Sequence, residues 1–144
     1  MSFPKTTLIL LAMVLLGATG CQNIPGDDIG RQKVSVNGHI VLRVFPGPPE
    51  YESVAKGDRP DTYWILVADH PVKDNLPTGF DPPVPPEGVS ELQLMLDPDQ
   101  YSQYAPMLGK YVTVKGDCFC AQVGGHYTSL LIQVEDIGLC KKQE

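Results

Sequence analysis

The sequence has no apolar run long enough to cross a bilayer. The longest, residues 8–16, contains nine residues, whereas a membrane-spanning helix needs about 20. Positive charge is also scarce, because 11 Lys and Arg stand against 17 Asp and Glu and leave a formal net charge of −6. Nucleic-acid phosphates attract basic surfaces, so this balance argues against a nucleic-acid-binding protein.

Catalytic and metal-binding motifs are also lacking. The chain has no Gly-x-Ser-x-Gly, no His-Glu-x-x-His and no glycine-rich phosphate loop. Asp97 and Asp99 resemble paired carboxylates, but a helix start at Pro98 explains their spacing. A Cys-x-Cys pair with one distant cysteine falls short of the four ligands of a structural zinc site. We therefore predict a protein that is not an enzyme and that uses no metal and no cofactor.

The N-terminal segment is typical of a secretory signal. Lys5 precedes the apolar run, and small residues at 17–20 lead to Cys21. This pattern resembles bacterial lipoprotein signals, which are cut before a cysteine that then carries acyl chains such as palmitate. The resemblance implies a signal peptide over residues 1–20, lipidation of Cys21 and, from Gln22, delivery to the periplasmic face of the outer membrane. An ordinary signal peptide with a free Cys21 is the alternative.

Three further cysteines would then lie in an oxidising compartment, where disulfides persist. Cys118 and Cys120 are two residues apart on a predicted strand and point the same way, which is poor geometry for a bridge between them. We therefore expect Cys140 to pair with one of the two and to tie the C-terminal tail to the sheet. The third thiol stays free.

One domain is predicted over residues 33–140, between a lipid-anchored tether at 21–32 and a short tail at 141–144. Alternating apolar residues, and one run that is apolar on both faces, predict five strands. These strands cover residues 34–44, 62–68, 89–96, 110–120 and 128–137. In the first, the apolar phase runs from Val34 through Ile40 to Leu42 and Val44, and we expect this whole phase to be buried.

A short helix is expected between the third and fourth strands. Asp97 suits the cap position, Pro98 the first turn, and Gln100 can bond back to the cap. Six prolines in the connection at residues 69–88 exclude a helix or a central strand there. Five strands with a helix between the third and fourth give the element order of a mainly β, OB-like barrel. A small β-sandwich and an SH3-like barrel are the alternatives.

Several segments resemble one bacterial envelope family, known only as domain-of-unknown-function family 4431. The segments are Phe45–Asp58, Thr62–Trp64, Leu108–Gly116 and Gly125–Leu131, and the resemblance extends over about residues 34–137. Two features depart from the family pattern. His126 is followed by Tyr127 where the family has a run of histidines, and the proline-rich connection replaces a shorter stretch that contains cysteine. The resemblance implies the fold and an envelope location, but no activity.

Candidate binding residues concentrate in the loop between the first two strands, which OB-type barrels often use for ligands. Patterned loops are better indications of function than patterned cores. The alternative is a rigid loop whose polar groups satisfy its own backbone. For His126, capping of the local turn is the simpler interpretation, and for Trp64 a place in the core. The candidates are Tyr51, Glu52, Ser53, Lys56, Asp58, Tyr63, His126 and Thr128.

Three functions fit these features. The first is a non-catalytic periplasmic binding module for an envelope glycan or protein, held at the membrane by lipid on Cys21. The second is an inhibitor or immunity protein against a periplasmic hydrolase or toxin, with residues 77–86 as the inserted element and acidic charge that suits a basic enzyme. The third is a structural accessory of an envelope complex.

Overall fold

The computed structural model describes residues 30–73 and 85–141. The predicted signal peptide, the lipidation site Cys21 and most of the tether lie outside the described residues. So do residues 74–84 of the proline-rich connection and residues 142–144 of the tail. Those predictions are neither supported nor contradicted by the fold.

The described residues form five strands, one short α-helix and two 3-10 turns. The strands are β1 Gln32–Pro46, β2 Pro60–Val72, β3 Val89–Met95, β4 Tyr111–Cys120 and β5 Leu130–Leu139. The helix α1 spans Pro98–Tyr104, and the 3-10 turns span Val54–Lys56 and Ala105–Met107. The predicted cap of α1 is confirmed, because the Asp97 N–H donates to Gln100 Oε1 at 2.9 Å. None of these helices has the length and hydrophobicity of a membrane span.

The strands close into a barrel in the order β1-β2-β3-β5-β4, with β4 returning to β1. All neighbours are antiparallel except β3 and β5, which run parallel. The predicted five-stranded OB-like barrel, with α1 between β3 and β4, is therefore confirmed. A long β1 makes closure possible, because its first half pairs with β4 and its second half with β2.

The barrel interior holds the main hydrophobic core. Its fully buried side chains come from all five strands and include Ile40, Leu66, Leu94, Val114 and Ile132. Trp64 belongs to this core, as predicted, and its ring meets Tyr101 of α1 edge-on at 5.5 Å between centroids.

A row of buried side chains also runs across the outer face of the barrel. Ile65, Gln93, Leu131 and Phe119 are successive cross-strand neighbours on β2, β3, β5 and β4. All four are buried, and Ile65, Gln93 and Leu131 are completely so. Because they alternate with the core residues, they point away from the interior and need a separate cover. The chain between β4 and β5 supplies that cover.

The prediction that the whole apolar phase of β1 is buried is wrong for its last part. Leu42 and Val44 are 53% and 62% exposed. Beyond residue 41, β1 pairs only with the first residues of β2, whereas β3 begins to pair with β2 at Ile65. Residues 42–46 of β1 and 60–64 of β2 therefore continue past the barrel as a hairpin arm, and no third strand among the described residues covers its inner face.

The predicted end of β2 at residue 68 is also wrong, because this strand continues through Pro71 to Val72. Beyond Ala68 it no longer pairs with β1, and Val72 pairs with Val89 of β3 after an irregularity. Proline lacks an N–H to donate, and a strand segment without a β1 neighbour does not require one.

The expected disulfide is not formed, since Cys118, Cys120 and Cys140 are all free. The Cys140 N–H donates to the carbonyl of Tyr111 at the start of β4 at 3.1 Å. Cys118 lies seven residues further along that strand, roughly 23 Å away at about 3.3 Å per residue, whereas bridged cysteines have Cα atoms within about 7 Å. The strand register, which sequence spacing does not reveal, separates the predicted partners.

Candidate functional site

Asp58 organises the loop that joins β1 to β2, here called the 47–59 loop. Its carboxylate accepts hydrogen bonds from the backbone N–H groups of Ser53, Glu52 and Glu50 at 2.7, 2.8 and 2.9 Å. The side chain is buried, and the loop ends are joined by Gly47 N–H donating to the Arg59 carbonyl at 2.7 Å. The loop is therefore ordered by one internal carboxylate.

The hydrogen bonds to Asp58 make the order of the 47–59 loop pH-dependent. The backbone N–H groups, Ser53 first and then Glu50, lower the pKa of Asp58 below its ordinary value of 3.8. A lowered pKa means that the stabilisation is complete above the ordinary value and is lost as pH falls through the folded value. We expect the amide NMR signal of Ser53 to titrate with a midpoint below 3.8.

The Asp58→Asn variant is the control for this titration, and its Ser53 amide should show no such transition. A midpoint at or above 3.8 in the unmodified chain would contradict the assignment of Asp58 as the loop's anionic centre.

Gln93 and Thr128 hold the connection between β4 and β5, here called the 121–129 loop, against the outer face of the barrel. Gln93 Nε2 donates to the Gly125 carbonyl at 2.8 Å, and the Tyr127 N–H donates to Gln93 Oε1 at 2.8 Å. Thr128 Oγ1 accepts from the Gln93 N–H at 2.9 Å and donates to the Leu130 carbonyl at 2.6 Å. The buried side-chain amide of Gln93 therefore forms hydrogen bonds with two backbone groups of the loop.

His126 also stabilises the 121–129 loop. Its Nδ1 accepts from the Gln122 N–H at 3.0 Å, and its ring meets Phe119 at 5.8 Å between centroids. Burial lowers the pKa of His126. The predicted role as a local turn cap is thus confirmed.

Aromatic rings from both loops and from the hairpin arm meet on one surface, which we call the aromatic face (Phe45, Tyr51, Tyr63 and Tyr127). Phe45 and Tyr127 stack with centroids 4.6 Å apart and planes 8° from parallel. Tyr63 meets Tyr127 at 5.4 Å and 49°. Tyr51 is 45% exposed, and its ring lies beside Gly124 of the 121–129 loop. The two loops therefore converge around a cluster of aromatic side chains.

A carboxylate–guanidinium pair borders the aromatic face. Arg59 Nε and Nη2 donate to the two oxygens of Asp61 at 2.9 and 3.4 Å, and Tyr127 Oη donates to Asp61 at 3.3 Å. Arg59 lowers the pKa of Asp61. Burial and the negative charge of Asp61 raise the pKa of Tyr127 to about 12. Both groups therefore keep their ordinary charge states at neutral pH.

This arrangement suits binding of a ligand that has both apolar faces and hydroxyl groups. Exposed ring surface offers apolar and stacking contact, while the Arg59 guanidinium and the tyrosine hydroxyls offer hydrogen bonds. A second ion pair, between Arg43 Nη2 and Glu91 at 2.7 Å, lies across the strands next to Tyr63. Polar donors and acceptors thus flank the rings on two sides.

The structure brings only part of the predicted residue set onto this face. Tyr51 and Tyr63 lie on it, whereas Ser53 and Asp58 act inside the 47–59 loop and His126 and Thr128 inside the 121–129 loop. Glu52 and Lys56, four residues apart in the sequence, form an exposed ion pair at 3.8 Å. The Asp58 side chain thus satisfies the backbone of its own loop, as the alternative interpretation predicts, and a binding role for the other loop residues stays a prediction.

Phe45, Asp61 and Tyr127 were missed by the sequence patterns. Phe45 lies one residue beyond the first predicted strand, and Tyr127 is a departure from the family pattern, so neither is indicated as a site residue. Gln93 was missed because it has the outward phase of β3, where a polar residue normally meets water. Their contacts on the face are distant in the chain, because Phe45 and Asp61 lie 82 and 66 residues from Tyr127, and Gln93 lies 32 residues from Gly125.

Part of the chain matches a known protein family. Residues 91–138 match the model of the family described as Domain of unknown function (DUF4431), which here runs from β3 through β5 and includes the 121–129 loop. No curated protein matches the chain significantly, and no solved structure does. Over these 48 of its 144 residues, the chain is therefore similar to a domain family of unknown function, in agreement with the resemblance found in the sequence there.

Proposed function

We propose that this protein is a non-catalytic binding module of the bacterial envelope that holds a glycan on the aromatic face. The observation that carries this proposal is the convergence of the 47–59 and 121–129 loops around the four rings Phe45, Tyr51, Tyr63 and Tyr127. These are the β1–β2 and β4–β5 loops, which in OB-type barrels bind oligonucleotides and oligosaccharides.

The charge of the chain favours the oligosaccharide. Single-stranded nucleic acids need a positively charged groove along their backbone as well as stacking rings. Here the net charge is −6, and Arg43 and Arg59 beside the rings are each neutralised by a carboxylate. A neutral, hydroxyl-rich ligand does not need positive charge for binding. The ion-paired side chains can still donate and accept hydrogen bonds with it.

The ionisable groups of the face support a non-catalytic role. A general acid or base works best with a pKa near the operating pH, but the pKa of Asp61 is lowered by Arg59 and that of Tyr127 is raised to about 12. Asp58 is committed to three backbone N–H groups of its loop. The envelope location rests on the signal and lipidation features of residues 1–21, which lie outside the described part of the chain.

Removal of the exposed ring of Tyr51 tests the proposal. Full-length chain purified in detergent is mixed with peptidoglycan sacculi, and the bound fraction is measured by co-sedimentation, with soluble muropeptides as competitors. We expect Tyr51→Ala to weaken binding about tenfold or more, because truncation of an aromatic anchor typically costs about 2 kcal/mol. Circular dichroism checks that the fold is retained.

The matched control is Tyr101→Ala, which removes another partly exposed tyrosine, on α1. We expect it to bind sacculi as the unmodified chain does. Equal loss in both variants, or no binding of either sacculi or muropeptides, would contradict a glycan site on the aromatic face. Stoichiometric capture of one protein in place of glycan would instead favour the inhibitor hypothesis.

A further inference from the structure

Within residues 30–73 and 85–141, two strand edges have no neighbouring strand where β1 and β2 separate. Their pairing ends at Gly38 and Ala68, so β1 residues 32–37 are paired with β4 on one side only. On the β1 side, β2 residues 69–72 likewise have no partner among the described strands. In an antiparallel strand every second residue directs both its N–H and its C=O to the same side. About half of the residues at 32–37 therefore direct unpaired backbone groups into the gap.

A groove of about 910 Å³ occupies this gap. Val34, Val36 and Val72 line it and pack against the core, so that it has an apolar base. Tyr111 also lines it and is fixed there, because its hydroxyl donates to Asp69. The volume is comparable to that of small-molecule sites, which span about 300–1,000 Å³, and it accommodates an extended peptide of a few residues.

The groove is locally positive although the chain is acidic. Three lysines, Lys33, Lys73 and Lys141, line it against a single carboxylate, Asp69, whereas the whole chain carries −6. Lys33 is neutralised by Asp117 and Glu135. Lys73 and Lys141 take part in none of the ion pairs formed among residues 30–73 and 85–141.

We propose that this groove binds an extended acidic segment of a partner protein, which adds as a strand to the open edge of β1. Main-chain hydrogen bonds to residues 32–37 hold the segment, and alternate side chains meet the valines of the base, as in other cases of strand addition. Its carboxylates pair with Lys73 and Lys141. None of the residues of the aromatic face lines this groove, so the proposal is independent of the glycan site.

A designed peptide that stands in for the partner segment tests the proposal. The probe is a fluorescein-labelled heptapeptide of alternating Glu and Val, titrated with full-length chain in detergent and followed by fluorescence anisotropy. We expect saturable binding. We also expect the double variant Lys73→Glu/Lys141→Glu to weaken it on the order of tenfold, because a charge-assisted pair is replaced by repulsion at two positions. The control Lys56→Glu/Lys110→Glu makes the same charge change outside the groove and should bind as before.

Two further peptides separate strand addition from simple charge attraction. The same peptide with alternate backbone nitrogens methylated keeps its charge but loses its main-chain donors, and a Lys-Val peptide keeps its shape but reverses its charge. Both should bind at least about tenfold more weakly. Equal binding of either would overturn the proposal, as would no binding at about 1 mM. In that last case, Lys73 and Lys141 would serve instead to prevent the open strand edges of two molecules from pairing.

A second copy of the chain is the other possible occupant of the open edge. Sedimentation velocity of the chain alone distinguishes it from a partner segment. We expect a monomer at all concentrations used in the titration. A dimer that is abolished by Lys73→Glu/Lys141→Glu and that blocks the peptide would overturn the proposal in favour of self-association.

Discussion

Replacement of Gly116 by alanine should destabilise the protein by about 3 kcal/mol or more. A Cβ at this position would lie 2.0 Å from the carbonyl oxygen of Gln133 and 3.0 Å from its carbonyl carbon. Both atoms belong to the backbone of β5, so no side chain can rotate away to relieve the clash. The register of β4 and β5 shifts between Lys115 and Gly116. The added methyl group would therefore force the two strands apart.

Urea unfolding followed by Trp64 fluorescence measures this loss, since Trp64 is the single tryptophan and is 7% exposed. Gly138→Ala is the matched control, because a Cβ there has no atom within 4 Å. Its free energy of unfolding should change by no more than about 1 kcal/mol. Similar losses in both variants would mean that the close approach at Gly116 does not exist in solution.

Replacement of Gln93 by leucine should release the 121–129 loop from the barrel. Leucine has a similar volume but leaves the Gly125 carbonyl and the Tyr127 N–H without their 2.8 Å partners. Each unpaired buried polar group costs about 1–3 kcal/mol, so we expect a total loss of about 2–6 kcal/mol from the two groups. The Tyr127 amide should exchange with deuterium faster than in the unmodified chain, by a larger factor than the amides of the barrel core.

Gln133→Leu is the control for this variant, since Gln133 lies on the neighbouring strand and makes one longer bond, from Nε2 to the Met95 carbonyl at 3.3 Å. It should lose less than about 1 kcal/mol and keep the slow exchange of Tyr127. If the proposed glycan site is right, Gln93→Leu also weakens binding to sacculi, because Tyr127 then no longer holds Phe45 and Tyr63 in place. Unchanged exchange of Tyr127 in Gln93→Leu would show that other contacts suffice to hold the loop.

The two largest effects thus involve a glycine and a glutamine that sequence patterns had placed on ordinary strands. The alternation in β4 and β3 correctly predicted two faces for each strand. It contains no information about which atoms of β5 or of the 121–129 loop lie opposite Gly116 and Gln93. Those neighbours are set by pairings between strands that are far apart in the chain.

The amino-acid sequence by itself determined the elements of this protein and their order. Alternating apolar residues, with one run apolar on both faces, indicated all five strands to within a few residues. Asp97, Pro98 and Gln100 indicated the start of α1, and the element order indicated the barrel. These features depend on residues close together in the chain, where side-chain period and capping chemistry act directly.

Only the tertiary structure decided which residues meet. Register placed Cys140 beside Tyr111, far from Cys118, and so excluded the expected disulfide. The extension of the hairpin arm beyond β3 left Leu42 exposed, and closure of the loops over the barrel buried Gln93 and joined Tyr127 to Phe45. Burial and contact are properties of non-local packing, because a strand's pattern specifies that one face must be covered but not what covers it.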